Sequence, residues 1–389
     1  MKNYLFLFNG TKPTIEQDES LDDIVLNNFS LPCLLAAQRL GYNVFVGINR
    51  KYAENLKCSI PGIRFYNACI YRSLLDFRSN YQAFNNLMAL LNKERIDVIH
   101  CNTPIGGILG RVCGNLKNVP QIIYTAHGFH FYKGNSLVKN CVFKTAEELM
   151  AKLTDAIITI NEEDYTAAKK FQLRNNGKVF RIPGVGINTN QFKSINNKIY
   201  KREIRKSLGI DEDKFFLISA GDLVSNKNYP IAIKAIAKLR DENLHYLICG
   251  TGPLKSKLEE LAFELNVDKQ IHFLGYRKDI INLMLCSDIF ISTSLREGLS
   301  RSVMEAMASG LPCLVSKIRG NTDLITEGKG GCLIEPNNED QFASKIAYLV
   351  NNPELRIKMG MENLNNVNQY DVNNVTKIIE SIYEEVLMH

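Results

Sequence analysis

The sequence has no CxxC pair and no other spacing that would gather thiols around one point. Its 10 cysteines stand singly in apolar runs, as at Cys33, Cys101, Cys249, Cys286 and Cys313. That excludes a disulfide framework and a zinc site and leaves buried free thiols. No apolar run is long enough to span a bilayer, and residues 1–10 are too short for a secretory core with its cleavage site. The chain is therefore expected to stay in the cytoplasm. Low-complexity tracts and internal sequence repeats are also missing. Charge is the one feature that is unevenly spread. Residues 1–182 hold 22 lysines and arginines against 15 acidic residues, and the remainder holds 25 against 26. A basic first half and a neutral second half suit an anionic partner for the first: a membrane surface, a phosphate-bearing lipid or a nucleic acid. Solubility alone is the other explanation.

At 389 residues the chain exceeds what one core usually holds, and two domains of about 180 residues each are expected. Strand-like runs such as "YLFLFNG", "YNVFVG", "DVIHCN", "QIIYTAHG" and "DAIITIN" alternate with amphipathic stretches such as "FNNLMALLNKERI" and "AEELMAKLT". This rhythm predicts an α/β fold, a parallel sheet covered by helices on both faces. It breaks at "PGVGIN" (183–188), which places a domain junction within 183–192, and then resumes with "FFLISAG", "HYLICG", "IHFLG", "DIFIST" and "PCLVS". The same architecture is thus expected twice. The closing segment "VNNVTKIIESIYEEVLM" reads as an amphipathic helix that packs back on the first domain. In such sheets ligands bind beyond the C-terminal ends of strands, where the strand order reverses, and each motif is weighed against that position.

"CGTGPLKSKLEEL" (249–261) follows a strand and opens a helix, but Lys255 stands where a dinucleotide fingerprint needs its third glycine. A nicotinamide cofactor is not expected, although Gly250 and Gly252 allow close approach of a backbone turn to a ligand. "DED" (211–213) spells a metal-holding D-x-D, yet it precedes a strand and so lies at the wrong end; an exposed turn is the better reading, and no metal is expected. "GDLVSNKNYP" (221–230) does sit at a strand's C-terminal end. Its Lys227 is placed to reach a phosphate as a point charge, or is an ordinary loop lysine. In "REGLSRSVMEAMASGLPC" (296–313), a strand, a loop and a helix N-terminus carry Glu297 and Glu305. Helix amides with Gly298 and Ser300 suit a phosphate. Two carboxylates beside it suit sugar hydroxyls, which donate strong hydrogen bonds to a charged acceptor. The pair would bracket the diphosphate of a nucleotide sugar. For Glu305 alone, a capping box with Ser302 is the competing reading.

At this point the sequence resembles the family 4 retaining glycosyltransferases of the GT-B fold, in particular bacterial enzymes of capsule, O-antigen and exopolysaccharide assembly. "EGLSRSVMEAMASGLPCLVS" reproduces that family's E-x7-E signature. "IRGNTDLI" (318–325), "TAHGFHFYKG" (125–134), "CNTPIGGILGR" (101–111), "ITINEEDY" (158–165) and "IPGVGIN" (182–188) are similar in the same order, so the resemblance covers essentially the whole chain. It implies two Rossmann-like domains facing across a cleft. Residues 1–185, with a C-terminal helix at about 371–389, would bind the acceptor, and 186–370 the donor. It also implies a hexosyltransferase that needs no cofactor or metal. The enzyme would move a hexose or N-acetylhexosamine from a UDP-sugar to a lipid-linked, undecaprenyl diphosphate glycan at the inner face of the plasma membrane.

The same resemblance implies roles for individual residues. Glu297 would hydrogen-bond the donor hexose and Glu305 the ribose. Lys227 would neutralise the leaving diphosphate, aided by the amides of Leu299 and Ser300, with Gly298 and Arg301 beside them. Tyr276 and Arg277 would receive the base, and Gly250, Gly252 and Gly10 would lie along the donor. His127 would sit by the reacting sugar, with Asn102, Thr103 and His130 toward the acceptor. Two departures stand out. Asp222 occupies the place of the family's usual arginine in G-R-L, so Arg296, Arg301 or Arg319 must supply that cation. The first strand's loop, "FNGTKPTIEQDES" (8–20), is long and polar and lacks the family's Gly-Gly pair. The segment 127–144, with aromatics and Lys133, Lys139 and Lys144, reads as an interfacial segment or as a helix covering the sheet. A nucleotide-sugar epimerase or a non-catalytic nucleotide-sugar-binding partner subunit are the alternatives. Nucleic-acid binding lacks any recognisable module.

Overall fold

Alternating apolar segments become strands here because each is short, rich in β-branched and aromatic residues, and covered on both faces. In the computed structural model, which describes residues 2–19, 22–24, 26, 29–73, 75–192, 198–211 and 213–387, the chain divides into two units. One comprises Met1–Gly186 with Val372–His389, and the other Ile187–Asp371.

The first unit is built on a parallel sheet of seven strands: β1 (Asn3–Leu7), β2 (Asn43–Ile48), β3 (Ile63–Asn67), β4 (Val98–Asn102), β5 (Gln121–Ala126), β6 (Ala156–Thr159) and β7 (Lys178–Arg181). Their order is β3-β2-β1-β4-β5-β6-β7. Leu5 of central β1 pairs with Phe45 on one side and Ile99 on the other. Tyr4, Leu5, Phe6 and Leu7 are all fully buried, as expected of a strand with helices on both faces. The covering helices include α1 (Leu31–Arg39), α2 (Pro104–Leu116) and α3 (Leu137–Ala151). The last helix of the chain, designated α6 (Val372–Leu387), packs on α1. Its Tyr383 hydroxyl meets both the Tyr4 hydroxyl and His100 Nδ1 at 2.6 Å inside the sheet's cover. The expected return of the C-terminal helix to the first domain is therefore seen, anchored by a buried polar contact.

The second unit repeats the design with six parallel strands: β8 (Phe215–Ala220), β9 (Leu244–Cys249), β10 (Ile271–Gly275), β11 (Ile289–Ser292), β12 (Cys313–Ser316) and β13 (Gly331–Ile334), in the order β10-β9-β8-β11-β12-β13. Side chains of β8 alternate between two cores. Leu217 joins the one formed with α4 (Tyr229–Leu239), whereas Phe216 and Ile218 join the one formed with α5 (Arg301–Ala308). The chain enters and leaves this unit at one place, where Ile187 N–H donates to Tyr370 O at 2.9 Å and the Thr189 hydroxyl to Asp371 Oδ2 at 2.6 Å. The order reverses between β8 and β11, so the loops after these two strands flank the switch point.

Candidate active site

The loops after β8, β9 and β10 are joined by backbone hydrogen bonds. Gly221 N–H donates to Cys249 O and Leu223 N–H to Thr251 O, both at 2.9 Å, and Gly250 N–H to Gly275 O at 2.8 Å. Gly250 has a φ of +157°, and a Cβ there would fall 1.9 Å from the Gly221 carbonyl oxygen. The G-x-G tract therefore serves first to let two loops touch. The β8 loop is tied in turn to the loop after β11. Leu295 N–H donates to Asn226 O at 2.8 Å, Asn226 Nδ2 to Arg296 O at 2.9 Å, and the Thr293 hydroxyl to Lys227 O at 3.0 Å. This framework sets Lys227 Nζ 2.7 Å from Glu297 Oε1, with both side chains largely withdrawn from solvent.

Next in the chain, Ser300 is buried at the N-cap position of α5 but makes no capping bond; its hydroxyl lies 3.2 Å from Ser302 Oγ. The capping box between Ser302 and Glu305 is not formed. The helix begins at Arg301, so Ser302 lies inside the first turn, and Glu305 Oε1 instead accepts from Arg301 Nε at 2.9 Å, one turn away. Burial raises the Glu305 pKa above the ordinary carboxylate value, with Arg301 acting against that shift. Arg319 lies behind the loop, 8% exposed, and donates from Nε to Glu297 O at 3.2 Å.

These loops line an open cavity of about 490 Å3 within the second unit. It brings together Lys227, Gly250, Tyr276 and Arg277 from the β8, β9 and β10 loops. From the β11 loop and the start of α5 come Glu297, Leu299, Ser300, Arg301 and Glu305. Gly252 and Gly298 are not in its wall. Gly252 packs on the Leu223 backbone, and the Gly298 carbonyl backs onto Gly320. Of the three arginines considered as the extra cation, Arg301 alone lines the cavity. Asp222, exposed, lines it as well. Arg277 is clamped by Asp279 through bonds of 2.7 and 2.6 Å, which raise the arginine pKa and lower that of the carboxylate. Sequence reasoning missed Asp279 and the bridging Asn226. The first has only a two-residue spacing in a loop as its signal, and the second has none. Asp211 and Asp213 form a turn before β8, away from this cavity, and Glu212 between them lies outside the described residues. Among the described residues no three His, Cys, Asp or Glu side chains gather to hold a metal ion.

The remaining sequence-designated residues lie in the first unit. His127 follows β5, and its Nε2 is 3.0 Å from Oδ1 of buried Asn102 at the end of β4. The ring lies against Phe29, a partner with no sequence signal, at 4.5 Å between centroids and tilted by 36°, and burial pulls its pKa down to about 4. Thr103 follows Asn102 with a φ of +64°. His130 turns its ring toward Phe143 of α3. Gly10 donates its amide to Ile70 O at 2.8 Å and lines a separate cavity of about 330 Å3 with Asn49 and Arg50.

A family model described as glycosyl transferases group 1 matches residues 200–365, and one described as glycosyl transferase 4-like matches residues 24–161. EpsD of Bacillus subtilis (strain 168), a glycosyltransferase by its name, is 33% identical over 342 residues, covering 86% of this chain and 87% of EpsD. The chain belongs to the group 1 glycosyl transferases. Another relative of this glycosyltransferase is the Escherichia coli UDP-Gal:alpha-D-GlcNAc-diphosphoundecaprenol alpha-1,3-galactosyltransferase, 30% identical over 343 residues, with 84% of this chain and 88% of the relative covered. In fold, the glycosyltransferase matches Anabaena HepE, solved in complex with UDP and glucose, with a TM-score of 0.76 at 18% identity over 99% of this chain and 100% of HepE. The two parallel α/β sheets are those of the GT-B fold.

Proposed function

We propose that this glycosyltransferase moves a hexose or N-acetylhexosamine from a UDP-sugar to a lipid-linked glycan, with retention at the anomeric carbon and without a metal ion, in bacterial surface polysaccharide synthesis. The observation that carries this reading is the Lys227–Glu297 pair at 2.7 Å in the wall of the switch-point cavity. A lysine and a carboxylate so placed can separate when a donor enters. The ammonium turns to the diphosphate, and the freed Glu297 accepts hydrogen bonds from hexose hydroxyls. The Arg301–Glu305 pair offers the same exchange to phosphate and ribose. Charge building on the departing diphosphate is then met by Lys227, Arg301 and the amides at the start of α5, groups held in place before the reaction. The leaving phosphate, on the same face as the incoming hydroxyl, takes the acceptor's proton. No side-chain base is required.

The donor class is supported by the galactosyltransferase relative, whose name gives UDP-Gal as donor and a diphosphoundecaprenol-linked acceptor. A lipid-linked acceptor requires work at a membrane surface, and α3 of the first unit suits that. Its inner side is formed by Asn140, Phe143, Glu147, Met150 and Ala151, yet Val138, Val142 and Leu149 recur on the solvent side at 75, 61 and 55% exposure. Exposed Lys139 and Lys144 flank this apolar stripe, as in a helix lying at an anionic bilayer surface. No helix of the described residues is long and apolar enough to cross a membrane.

The test supplies the full chain with UDP-hexoses and UDP-N-acetylhexosamines, a chelator, and membranes bearing undecaprenyl-diphosphate glycans. One sugar is expected to enter the lipid extract in α linkage. An epimerised UDP-sugar formed without acceptor, or a β-linked product, would overturn the proposal.

A further inference from the structure

Two neighbouring strands of the first unit carry a polar ladder on one sheet face. In its lower rung His100 on β4 reaches Thr125 on β5, Nε2 to Oγ1 at 2.7 Å, while its Nδ1 meets the hydroxyls of Tyr4 and Tyr383 at 2.9 and 2.6 Å. This rung is sealed inside the core. The upper rung, two residues further along both strands, joins Asn102 to His127 at the C-terminal edge of the sheet, where His127 is half-buried.

The upper rung has a defined polarity. Asn102 is 1% exposed, so its side chain meets protein rather than ligand. Its Nδ2 faces the Leu7 carbonyl oxygen at 3.4 Å and its Oδ1 faces His127 Nε2 at 3.0 Å. The opposite amide orientation would set two carbonyl oxygens against each other, so this one is favoured. An oxygen facing Nε2 requires a hydrogen on that nitrogen. In a neutral imidazole the other nitrogen, Nδ1, then keeps a lone pair, and it has no hydrogen-bond partner among the described residues. The ring is neutral: burial takes its pKa to about 4, and His100 in the rung below is also held neutral with a pKa near 3, chiefly by burial. Phe29 covers one ring face without bringing a charge.

The backbone beside Asn102 is held in an unusual state. Thr103 is β-branched yet adopts φ +64° and ψ 163°, a conformation that persists only where neighbours enforce it. Its hydroxyl bonds the Asn102 carbonyl and accepts from Asn9 N–H at 2.8 Å, and Asn9 Oδ1 accepts from Gly106 N–H at 2.7 Å. Thr103, Asn9 of the loop after β1 and Gly106 at the start of α2 thus fix the end of β4 where Asn102 stands.

We propose that Asn102 is a positioning residue that holds His127 as the Nε2–H tautomer, so that the Nδ1 lone pair accepts a hydrogen bond from a sugar hydroxyl. His127 on this account neither donates a proton nor offers positive charge; it orients a hydroxyl. The identity of the ligand rests on the glycosyltransferase reading above, whereas the tautomer does not.

The first measurement is therefore made without substrate. The full chain is labelled with 15N-histidine, and the His127 signals are assigned by their loss in His127→Gln. Wild type is expected to show a pyrrole-type Nε2 and a pyridine-type Nδ1 that do not titrate between pH 8 and pH 5.5. A pyrrole-type Nδ1, or a titration near the ordinary histidine value, overturns the proposal. In Asn102→Asp the partner accepts only and carries charge, so His127 is expected to titrate about two units higher than in wild type. An unchanged titration in a folded Asn102→Asp chain also overturns it. Should that variant fail to fold, Asn102→Ala, which leaves Nε2 without its acceptor, is expected to lose the wild-type preference for the Nε2–H tautomer; an unchanged tautomer there counts against the proposal. Finally, once a sugar ligand of the first unit is known, adding it should shift the Nδ1 signal and leave Nε2 nearly unmoved. Failure of that step alone, with the tautomer as expected, would fall on the ligand and not on Asn102.

Discussion

The two units are wound alike and furnished differently. In each, the first strand is central, two strands lie to one side of it, and the rest continue on the other, so that the switch point falls at β1/β4 in one and β8/β11 in the other. At the ends of β4 and β5 stand neutral groups, Asn102, Thr103 and His127 with the Phe29 ring, while Arg50 lines the cavity at Gly10 after β1. The second switch point is ringed by charge: Lys227 with Glu297, Arg301 with Glu305, Arg277 with Asp279, and Asp222 at the wall. The sheets alone would not distinguish the units; the loops do. A charged, partly buried site suits the diphosphate end of a donor. A neutral, hydrogen-bonding one suits hydroxyls. The net charge runs the other way, with the basic half carrying the neutral site.

Replacing Lys227 should separate the units most sharply. Lys227→Ala is expected to lower kcat/KM for the UDP-sugar by about 100- to 1000-fold, the usual cost of one group that stabilises a developing anion, with vesicle binding unchanged. Steady-state kinetics and flotation on the same preparation check both halves. Next in size is the reverse experiment. Val138→Asp with Val142→Asp should weaken binding to phosphatidylglycerol vesicles about tenfold or more, since each buried valine contributes about 1.5 kcal/mol or more, while donor affinity stays as in wild type. A smaller effect is expected at Asp222, an exposed carboxylate in the cavity wall that would oppose a diphosphate bound there. Asp222→Ala should tighten UDP-sugar binding by about two- to fivefold in calorimetry.

The smallest effect concerns pH. Glu305 has a raised pKa because it is buried, and on the proposed function its ionised form would accept ribose hydroxyls. UDP-sugar affinity should therefore be full at neutral pH and fall as pH drops through that raised value, earlier than an exposed glutamate would cause. Glu305→Gln should abolish the pH dependence together with part of the affinity. His127, with its pKa near 4, should contribute no inflection to donor binding above pH 5.

Much of this fold was legible because parallel strands and covering helices each leave a local period, and because the amphipathic C-terminal segment has only one face to bury. The loops at 221–230 and 296–305 were legible for another reason. Charges beside glycine at the end of a strand and the start of a helix are rare enough to mark a place. What the sequence hid are contacts between loops. The capping-box spacing at Ser302 and Glu305 was present, but the helix starts at Arg301 and the glutamate found an arginine on its own face. Gly250 and Gly252 look like ligand-facing glycines, yet neighbouring backbone fills the space where their side chains would be. Asn102 lies 25 residues from His127, and Phe29 is further still; only the sheet brings them together.

On the proposed function, the cavity of the second unit reads a nucleotide sugar through Lys227. The most direct test is calorimetry of the full chain with UDP and a panel of UDP-sugars in chelator, comparing wild type with Lys227→Ala. Wild type is expected to bind UDP and to prefer one UDP-sugar, and Lys227→Ala to lose both at an unchanged melting temperature. Binding of UDP-sugars that is indifferent to Lys227→Ala, or no binding of any of them by folded wild type, would contradict that function.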